Sequence, residues 1–365
     1  MDARIRILGL VAAMAFAGRT AMAAEFPLAT QQTVLGALDS HTTHAADTLL
    51  DVQRQYDIGY AELMAANRGV DPWLPGEGTR IVIPTQYILP NAPRRGIVIN
   101  LGERRLYYFP PDGKHVETFP IGVGVEGKKT LIGTTTVVAK EKNPTWFPPP
   151  SIHQEKPELP AAVPAGPDNP LGAYAFRLGW ANYLIHGTNK PDGVGRNVSH
   201  GCIHLYPEDI EHLFSEIPIG TSVRVVDQPV LTAWIDGQLY VAVHPSQSQT
   251  DEIDLSEPMT PEAPQDLVAQ VTAAAGGRVN EVDWDAVNRA GLERSGIPVA
   301  VLSDAPVISS NNVGVAPQQS SAQQSAPQTG AEPPVAAAFQ YVPGEEPRFF
   351  PAVPPGDREA ASRVE

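Results

Sequence analysis

Residues 183–205 read YLIHGTNKPDGVGRNVSHGCIHL, and this stretch decides how the chain is interpreted. It opens on the apolar run Tyr183–Ile185, which is typical of a buried strand and ends at His186. A glycine-rich segment follows, as expected of a loop, and leads to Ser199-His200-Gly201-Cys202 and a second short apolar run. The densest polar segment of the chain is therefore held between two apolar ones.

Cys202 is the only cysteine, so no intramolecular disulfide can form and the thiol is a candidate reactive group. A thiol with an unperturbed pKa of ~8.5 is mostly protonated at neutral pH and needs a proton-accepting neighbour. His186, at the end of a strand, would be rigidly placed to accept that proton. Gly201 would let the backbone turn sharply, and the N–H groups of residues 200–202 could then form an oxyanion hole.

Two other interpretations of the cysteine remain open. If residues 200–204 formed a straight strand, His200, Cys202 and His204 would share one face and could bind zinc. No fourth ligand has a recognisable spacing, however, and the upstream His-Gly-Thr-Asn would be unexplained. The other interpretation is a buried structural thiol, which fits poorly with so many polar and glycine residues around one cysteine.

The sequence around this segment predicts a mainly β domain with one short helix. Branched and aromatic residues alternate with turn residues and indicate a series of strands. They are expected at 97–101, 105–109, 116–123, 134–139, 183–186 and 221–226. Pro207 followed by two acidic residues predicts the start of the helix. Residues 144–170 are proline-rich without strand or helix periodicity, which favours either a lid or a rigid surface excursion.

The first 23 residues have the pattern of a secretory signal peptide. Arg4 and Arg6 precede an apolar run over residues 7–18, and Ala21-Met22-Ala23 supplies the small residues of a cleavage site. The run is shorter than the roughly 20 residues needed to span a bilayer, and no other segment is apolar enough. We therefore expect an exported protein without a transmembrane segment after cleavage. The net charge of −15 argues against a nucleic-acid partner.

Two smaller units flank the β domain. Residues 42–84 are expected to form a small unit with the order strand, helix, helix and strand (βααβ). Asp47 is the expected N-cap of its first helix, which reaches Tyr56, and a second helix (61–67) and a strand (80–84) follow. In residues 229–302, a hairpin (231–235 and 238–243) precedes helices at 263–275 and 284–294. Residues 307–365 are rich in Pro, Gln, Ser and Ala, and we expect them to be disordered.

At this point a family resemblance is visible. The arrangement H-G-T-N, a spacer, and S-H-G-C-I-x-L resembles the catalytic domain of L,D-transpeptidases of the YkuD type, as do NPTW at 143–146 and DNPLG at 168–172. The likeness covers residues 94–227 and implies a β-sandwich-like catalytic domain. It is closest to the periplasmic subgroup that joins an outer-membrane (Braun-type) lipoprotein to peptidoglycan. Residues 42–84 resemble a LysM peptidoglycan-binding module; the alternative is a packing subdomain that binds no sugar.

The resemblance implies a role for each residue of the segment. Cys202 would be the nucleophile and His186 the proton donor and acceptor, oriented by the carbonyl of Gly187, while His200 and Gly201 would supply oxyanion-hole N–H groups. Relatives commonly have Arg where this chain has His204. If that Arg contacts the substrate carboxylate, either Arg196 or Arg177 takes over its role here or the substrate binds more weakly. The full set of substrate-binding candidates is Trp146, Arg177, Asn189, Arg196, Ser199 and His204. Thioester chemistry of this kind needs no metal and no organic cofactor.

The reaction implied is acyl transfer from a peptidoglycan tetrapeptide stem through a thioester at Cys202. The acceptor amine would be the C-terminal lysine of a lipoprotein or the side chain of another stem. With water as acceptor the same site would act as a carboxypeptidase or hydrolase. A non-catalytic scaffold that binds peptidoglycan is the competing hypothesis, and it would need neither the cysteine nor the histidine.

Overall fold

A computed structural model describes residues 24–29, 31–125 and 130–303, together with the backbone of two short paired strands further on. The predicted signal peptide lies outside the described residues, and so does the predicted tail apart from those strands. Within the described ranges, no helix has the length and apolar character needed to cross a membrane.

The elements are numbered in chain order. The helices are α1 (Leu49–Tyr56), α2 (Tyr60–Ala66), α3 (Pro150–Glu155), α4 (Pro207–Glu216), α5 (Gln247–Asp254), α6 (Leu267–Ala275) and α7 (Trp284–Glu293). The strands up to the centre of the chain are β1 (Ala24–Pro27), β2 (Val34–Gly36), β3 (Asp39–Thr42), β4 (Arg80–Ile83), β5 (Gln86–Ile88), β6 (Gly96–Asn100), β7 (Arg105–Phe109), β8 (His115–Pro120), β9 (Val123–Gly124) and β10 (Gly133–Lys142). The remaining strands are β11 (Tyr174–Leu178), β12 (Leu184–His186), β13 (Asn197–Ser199), β14 (Ile203–His204), β15 (Ser222–Val226), β16 (Val230–Ile235), β17 (Gln238–Val243), β18 (Val299–Ala300), β19 (Phe339–Gln340) and β20 (Arg348–Phe349).

A curled sheet of nine strands forms the centre of the molecule, in the order β1-β8-β7-β6-β15-β10-β11-β12-β14. The long strand β10 pairs with β15 through its first half and with β11 through its second half, and its register shifts between Val137 and Ala139. Such a bulge bends a strand and increases its twist. The sheet therefore folds over at β10. The prediction of a mainly β architecture is confirmed.

The core lies between the two halves of the folded sheet and is closed by α4. It contains Ile97, Leu106 and Phe119 from the first half, Val137, Phe176 and Ile185 from the second, and Ile210 and Leu213 from α4. The helix begins with Pro207 at its first position and has Glu208 and Asp209 in its first turn, where acidic side chains oppose the positive end of the helix dipole. The predicted helix is thus present, and it holds the core against the strands that carry the polar segment.

The prediction of a single helix in the β domain is wrong. The proline-rich insertion contains α3, which begins at Pro150 directly after the extended residue Pro149. Proline is compatible with the first helical turn, where its missing N–H would have no partner. No apolar periodicity marks this helix, because none of its residues is buried.

Residues 39–83 have the expected order of strand, helix, helix and strand, with β3 and β4 paired antiparallel. The N-cap of α1 is Thr48 and not Asp47: the Thr48 hydroxyl accepts from the N–H of Asp51, whose carboxylate bonds back to the N–H of Thr48. This is a capping box, and the Thr-x-x-Asp spacing would have identified it. The unit has its own small core, built from Leu49, Val52, Ile58, Leu63, Ile81 and Ile83.

Buried polar contacts fix this βααβ unit to the central sheet. Glu62 of α2 forms an ion pair with Arg105 of β7 at 2.8 Å, and both side chains are nearly inaccessible to solvent. Gln53 of α1 donates to the hydroxyl of Tyr206 at 2.9 Å. Removing one partner of a buried ion pair leaves an uncompensated charge, which costs about 3–5 kcal/mol. The unit therefore contributes to the stability of the molecule, whatever else it binds.

The last unit packs α6 and α7 against the three-stranded sheet β16-β17-β18. Asp283 caps α7, with its carboxylate accepting from the N–H of Ala286 at 3.0 Å. Helix α5 was not predicted. Two of its buried residues, Gln249 and Thr250, are polar, so the sequence shows no clear apolar face. Their side chains can be buried because each donates a hydrogen bond to a backbone carbonyl.

Two carboxyl groups meet where α1 contacts α4. Asp57 ends α1, Asp209 lies in the first turn of α4, and both are buried. Burial raises the pKa of Asp57 to about 7, against the opposing charges of Arg105 and Arg54. Burial, and then the charges of Asp57 and Glu208, raises the pKa of Asp209 well above its usual range.

Because of the Asp57–Asp209 pair, we expect the free energy of unfolding to fall as pH rises. Both groups have a higher pKa in the folded state than in the unfolded state. The contribution of Asp57 is complete below about pH 4 and is lost as pH rises through about 7, and Asp209 changes stability in the same direction. We expect the melting temperature to fall by on the order of 5 °C between pH 5 and pH 8. Asp57→Asn, which mimics the protonated acid, should flatten this dependence, whereas Asp285→Asn on the exposed face of α7 should not. An equal slope in all three proteins would contradict the assignment.

Candidate active site

The strand register brings the two central residues of the polar segment onto one face of the sheet. Across β11, β12 and β14, Phe176, Ile185 and Ile203 are partners and point into the core, whereas Ala175, His186 and His204 are partners on the opposite face. Cys202 directly precedes β14 and so falls on the same face as His186, diagonal to it and opposite Leu184. Diagonal neighbours in a sheet are within reach of a long or aromatic side chain.

His186 is buried, with 3% of its surface exposed, and its ring is held in one orientation. Nδ1 lies 2.6 Å from the carbonyl oxygen of Gly187. A carbonyl only accepts, so Nδ1 carries the proton, and in the neutral ring the lone pair is on Nε2. The backbone carbonyl of His186 is itself fixed by the N–H of Leu205 at 2.9 Å. The ring is therefore prepared to accept a proton at Nε2.

The Cys202 thiol is partly exposed and lies against the backbone of the β11–β12 turn. Sγ is 3.7 Å from the carbonyl oxygen of Asn182. Burial raises the pKa of the Cys202 thiol, and a hydrogen bond from the backbone of Leu184 opposes that effect. The thiol is consequently protonated at neutral pH. A nucleophile in this environment needs a base to remove its proton.

The turn that carries the thiol is held by Ser199 and Thr130. The Ser199 hydroxyl donates to the carbonyl of Cys202 at 2.6 Å and accepts from the N–H of Gly201 at 3.0 Å. Gly201 has a φ of 108°, which L side chains rarely adopt. Its carbonyl accepts from the hydroxyl of Thr130 at 3.0 Å. Ser199, expected to contact substrate, is thus committed to the turn.

The N–H groups of the turn differ in availability. That of Gly201 is occupied by Ser199, so the expectation that it serves an oxyanion hole does not fit this conformation. The N–H groups of His200 and Cys202 make no hydrogen bond within residues 24–29, 31–125 and 130–303. Those two donors, adjacent to the thiol, are the ones available to a developing oxyanion.

The proline-rich insertion reaches the nucleophile through its helix. Glu155, at the end of α3, lies 3.0 Å from Nε2 of His200. At the base of the insertion, the half-buried Trp146 forms a backbone bridge with Val163, and the buried side chain of Asn169 donates to the carbonyls of Pro144, Val163 and Pro164. The insertion therefore has a fixed base and an apex that touches the residue two positions before Cys202.

Arg196 is not at the site, and the expectation that it binds substrate is wrong. Its side chain is 1% exposed, pairs with Asp254 of α5 at 3.0 Å and covers the ring of Tyr60 in α2 at 3.4 Å. It joins the three units of the chain instead. Its position within the polar segment gave no sign of this, because its partners are distant in sequence.

Arg177 lies on the face that carries the thiol. It is the partner of Leu184 in the register of β11 and β12, which places it two strands from Cys202, about 10 Å at the usual strand spacing. Its exposed guanidinium is paired with Glu141 of β10. Arg177 is therefore the arginine of the predicted set that can meet a substrate carboxylate near the thiol.

His204 and Asn189 complete the predicted set. The ring of His204 packs 4.5 Å from that of His186, and burial lowers the pKa of His204 to about 4. It is neutral above that pH and cannot replace the positive charge of an arginine. Asn189 has a side-chain oxygen that is shielded from solvent and forms no hydrogen bond within the described residues.

The geometry required by the zinc interpretation is absent. Only Ile203 and His204 form a strand, and the turn at Gly201 breaks the alternation that would align residues 200, 202 and 204. In the part of the chain that the structure describes, these three side chains are not a convergent set of metal ligands.

Several residues of the site were not predicted. Thr130 and Glu155 form hydrogen bonds with residues of the turn that are 71 and 45 positions away in the sequence. No local sequence pattern predicts such contacts. Asn182 and Leu184 contribute backbone groups, which sequence motifs do not reveal.

The sequence matches a family model and several named relatives. The model of the YkuD family, described as an L,D-transpeptidase catalytic domain, matches residues 94–225. The Escherichia coli K12 protein named "Probable L,D-transpeptidase ErfK/SrfK" is 40% identical over 306 residues, which cover 80% of this chain and 95% of that protein. "Probable L,D-transpeptidase YbiS" from the same strain is 43% identical over 67% of this chain and 80% of its own length. The solved "Ldtfm-avibactam carbamoyl enzyme" is 25% identical over 40% of this chain and 55% of that chain, with a TM-score of 0.31.

Proposed function

This chain belongs to the L,D-transpeptidase family and is an enzyme of that type, and on this premise we propose that it transfers peptidoglycan stem peptides through a thioester at Cys202. The observation that carries the proposal is the arrangement of the thiol and the imidazole. His186 on β12 and Cys202 directly before β14 share one face, and Gly187 holds His186 in the tautomer whose lone pair is on Nε2.

In the first half-reaction, Nε2 of His186 takes the proton of the thiol and Sγ attacks a carbonyl of the stem. The attacked carbonyl belongs to the third residue of a tetrapeptide stem, a diacid joined to a terminal D-Ala. The oxyanion forms beside the unoccupied N–H groups of Cys202 and His200, and such donors are worth about 3 kcal/mol each. Collapse breaks the amide bond, His186 returns the proton to the departing amine of D-Ala, and the thioester remains.

In the second half-reaction, an amine attacks the thioester while His186 takes its proton. The new amide bond forms, the C–S bond breaks, and the thiol regains a proton. We propose the C-terminal lysine of an outer-membrane lipoprotein as the acceptor, because the motifs resemble those of the subgroup that attaches such proteins. A stem-peptide amine would instead give a cross-link, and water would make the same site a carboxypeptidase or hydrolase. Neither half-reaction requires a metal or an organic cofactor.

The proposal is tested with the purified protein and a disaccharide-tetrapeptide donor. Intact mass spectrometry should show a disaccharide-tripeptide acyl adduct on Cys202, with one D-Ala released per adduct. Addition of a peptide ending in lysine, a stem peptide or no amine then identifies the acceptor from the product. A non-catalytic scaffold would show no adduct and no D-Ala, and either result would refute the proposal.

We expect Arg177 to bind the free carboxylate of the donor stem. Arg177→Ala should raise KM by about 10–100-fold with little change in kcat, because a hydrogen bond to a charged group contributes about 1.5–3 kcal/mol. Glu141→Gln should lower KM, since Glu141 competes with the substrate for the guanidinium. Steady-state kinetics on a soluble tetrapeptide donor measures both.

Arg224→Ala provides the matched control. Arg224 is an exposed arginine on β15 that donates to Thr134, in the other half of the sheet. Its replacement should leave KM unchanged. If the Arg224 variant and the Arg177 variant lose affinity equally, the effect is one of overall charge, and Arg177 has no specific role.

The βααβ unit is proposed to bind peptidoglycan glycan, on the strength of its LysM-like sequence and element order. Its loop between α2 and β4 carries Leu74, which is 71% exposed. Deleting the whole unit would also remove the buried partner of Arg105, so a surface change is the cleaner test. Leu74→Asp should weaken pull-down by sacculi while sparing turnover of a soluble donor, because a tethered glycan site acts only through effective concentration.

The control for this test is Leu255→Asp, a similar change at an exposed leucine just after α5. Unchanged binding to sacculi in the Leu74 variant would count against the glycan role of this loop.

We further propose that the protein acts in the periplasm, after removal of residues 1–23. Fractionation of cells and N-terminal sequencing of the mature protein test that location.

A further inference from the structure

We propose that His41, His44 and Asp47 form a binding site for Zn²⁺ on the outer side of the βααβ unit. His41 is on β3, and the other two residues lie in the turn that leads to α1. One ligand atom from each side chain lies within 4.8 Å of the others. This cluster belongs to no step of the transferase chemistry and does not depend on Cys202.

The spacing of the ligand atoms matches that around a tetrahedral zinc ion. Zinc binds imidazole nitrogen at about 2.0–2.1 Å and carboxylate oxygen at about 2.0–2.2 Å, so two ligands on a tetrahedron stand about 3.4 Å apart. Here Oδ2 of Asp47 lies 3.2 Å from Nε2 of His41 and 3.2 Å from Nδ1 of His44. Small shifts of the two rings would therefore admit the ion.

The surroundings of His41 favour a ligand role. Its other ring nitrogen, Nδ1, lies 3.3 Å from the hydroxyl of Tyr56. Without a metal, Nε2 donates to the Asp47 carboxylate. When zinc takes the place of that proton, Nδ1 donates to the Tyr56 hydroxyl and the lone pair of Nε2 is directed at the ion, which is the arrangement that orients histidine ligands in metal sites. The side chain of His41 is 11% exposed, whereas that of His44 is 82% exposed. One ligand is thus fixed by packing and another can swing onto the ion.

A turn alone explains only part of this arrangement. Asp47 accepts from the N–H of His44 at 2.7 Å, and its own N–H donates to the carbonyl of His44 at 3.1 Å. Those bonds need an aspartate but neither imidazole. Two histidines and a carboxylate are the ligand types that suit zinc. An ion held by the three groups would link β3 to the start of α1 and keep one position open to water.

The test is calorimetric titration of the full, untagged chain with ZnCl₂ after treatment with a chelator. Wild type and Cys202→Ala should each bind one ion per chain with equal affinity, because the thiol is not a ligand. His44→Ala should weaken binding by at least 10-fold, since even loss of an outer partner of a zinc ligand costs about 10–100-fold. Because His44 is exposed, this variant should keep the melting temperature of the zinc-free protein.

His212→Ala serves as the matched control, since His212 on α4 also bonds to a carboxylate, that of Glu117 on β8. It should bind zinc like the wild type. Zinc should raise the melting temperature of the wild type and of His212→Ala but not that of His44→Ala. Wild-type affinity in His44→Ala, loss of binding in Cys202→Ala or in His212→Ala, or no binding in any of the proteins would overturn the proposal.

Discussion

Replacing Cys202 by alanine should lower the rate of acyl transfer by at least about 10⁴-fold, to the uncatalysed background. Removal of the nucleophile of a covalent mechanism has effects of this size. The chain contains no second cysteine that could form the thioester. The fold should survive, because the side chain is partly exposed and small, so the melting temperature should change by no more than a degree or two. Product formation from a tetrapeptide donor and a lysine peptide measures the rate.

A serine at the same position is the informative control. Cys202→Ser keeps the shape of the site, but a hydroxyl has a far higher pKa than a thiol and is a weaker nucleophile when its base is tuned to a thiol. Both variants should still bind the donor, since the N–H groups of the turn and Arg177 are unchanged. Retained turnover in the alanine variant would refute the thioester mechanism, whereas loss of turnover together with loss of folding would show a structural role.

The parts of the fold that follow local rules were predictable. β6, β7 and β12 are apolar or aromatic runs bounded by turn residues, and α4 begins with proline and two acidic residues. These signals lie within a few residues of the element they define. The helix α3 was missed for the converse reason: none of its residues is buried, so it has no apolar periodicity that would predict it.

The site was predictable only as far as its motif extends. Cys202, His186 and the carbonyl of Gly187 are close in sequence or in adjacent strands, so a motif contains them all. Arg196 occupies the same segment, yet its side chain turns away to Asp254 and Tyr60. The direction of that side chain is set by a buried carboxylate 58 residues further along the chain, and no spacing rule conveys it. Arg177 could be separated from Arg196 only by the register of β11 against β12.

The last prediction concerns the base. His186→Ala should lower kcat/KM by about 10²–10⁴-fold at neutral pH, the usual range for loss of a general base. Burial raises the pKa of the Cys202 thiol, so without His186 the thiolate forms only at alkaline pH. The residual activity of the variant should therefore increase about tenfold per pH unit through the neutral range. Wild-type activity should be far less dependent on pH there, because the imidazole removes the proton within the complex.

His204→Ala is the matched control for that experiment, since His204 lies beside His186 on the same face of the sheet. The pKa of His204 is lowered to about 4 by burial, so this ring is neutral throughout the neutral range and has no charge to lose. Its removal takes away packing against the ring of His186 and should cost much less than removal of His186, without adding an alkaline slope. A pH–rate profile of the three proteins, with melting temperatures as a check on folding, decides the question. Equal losses in the two variants would show that the imidazole pair acts as a unit, and His186 would no longer be distinguished as the base.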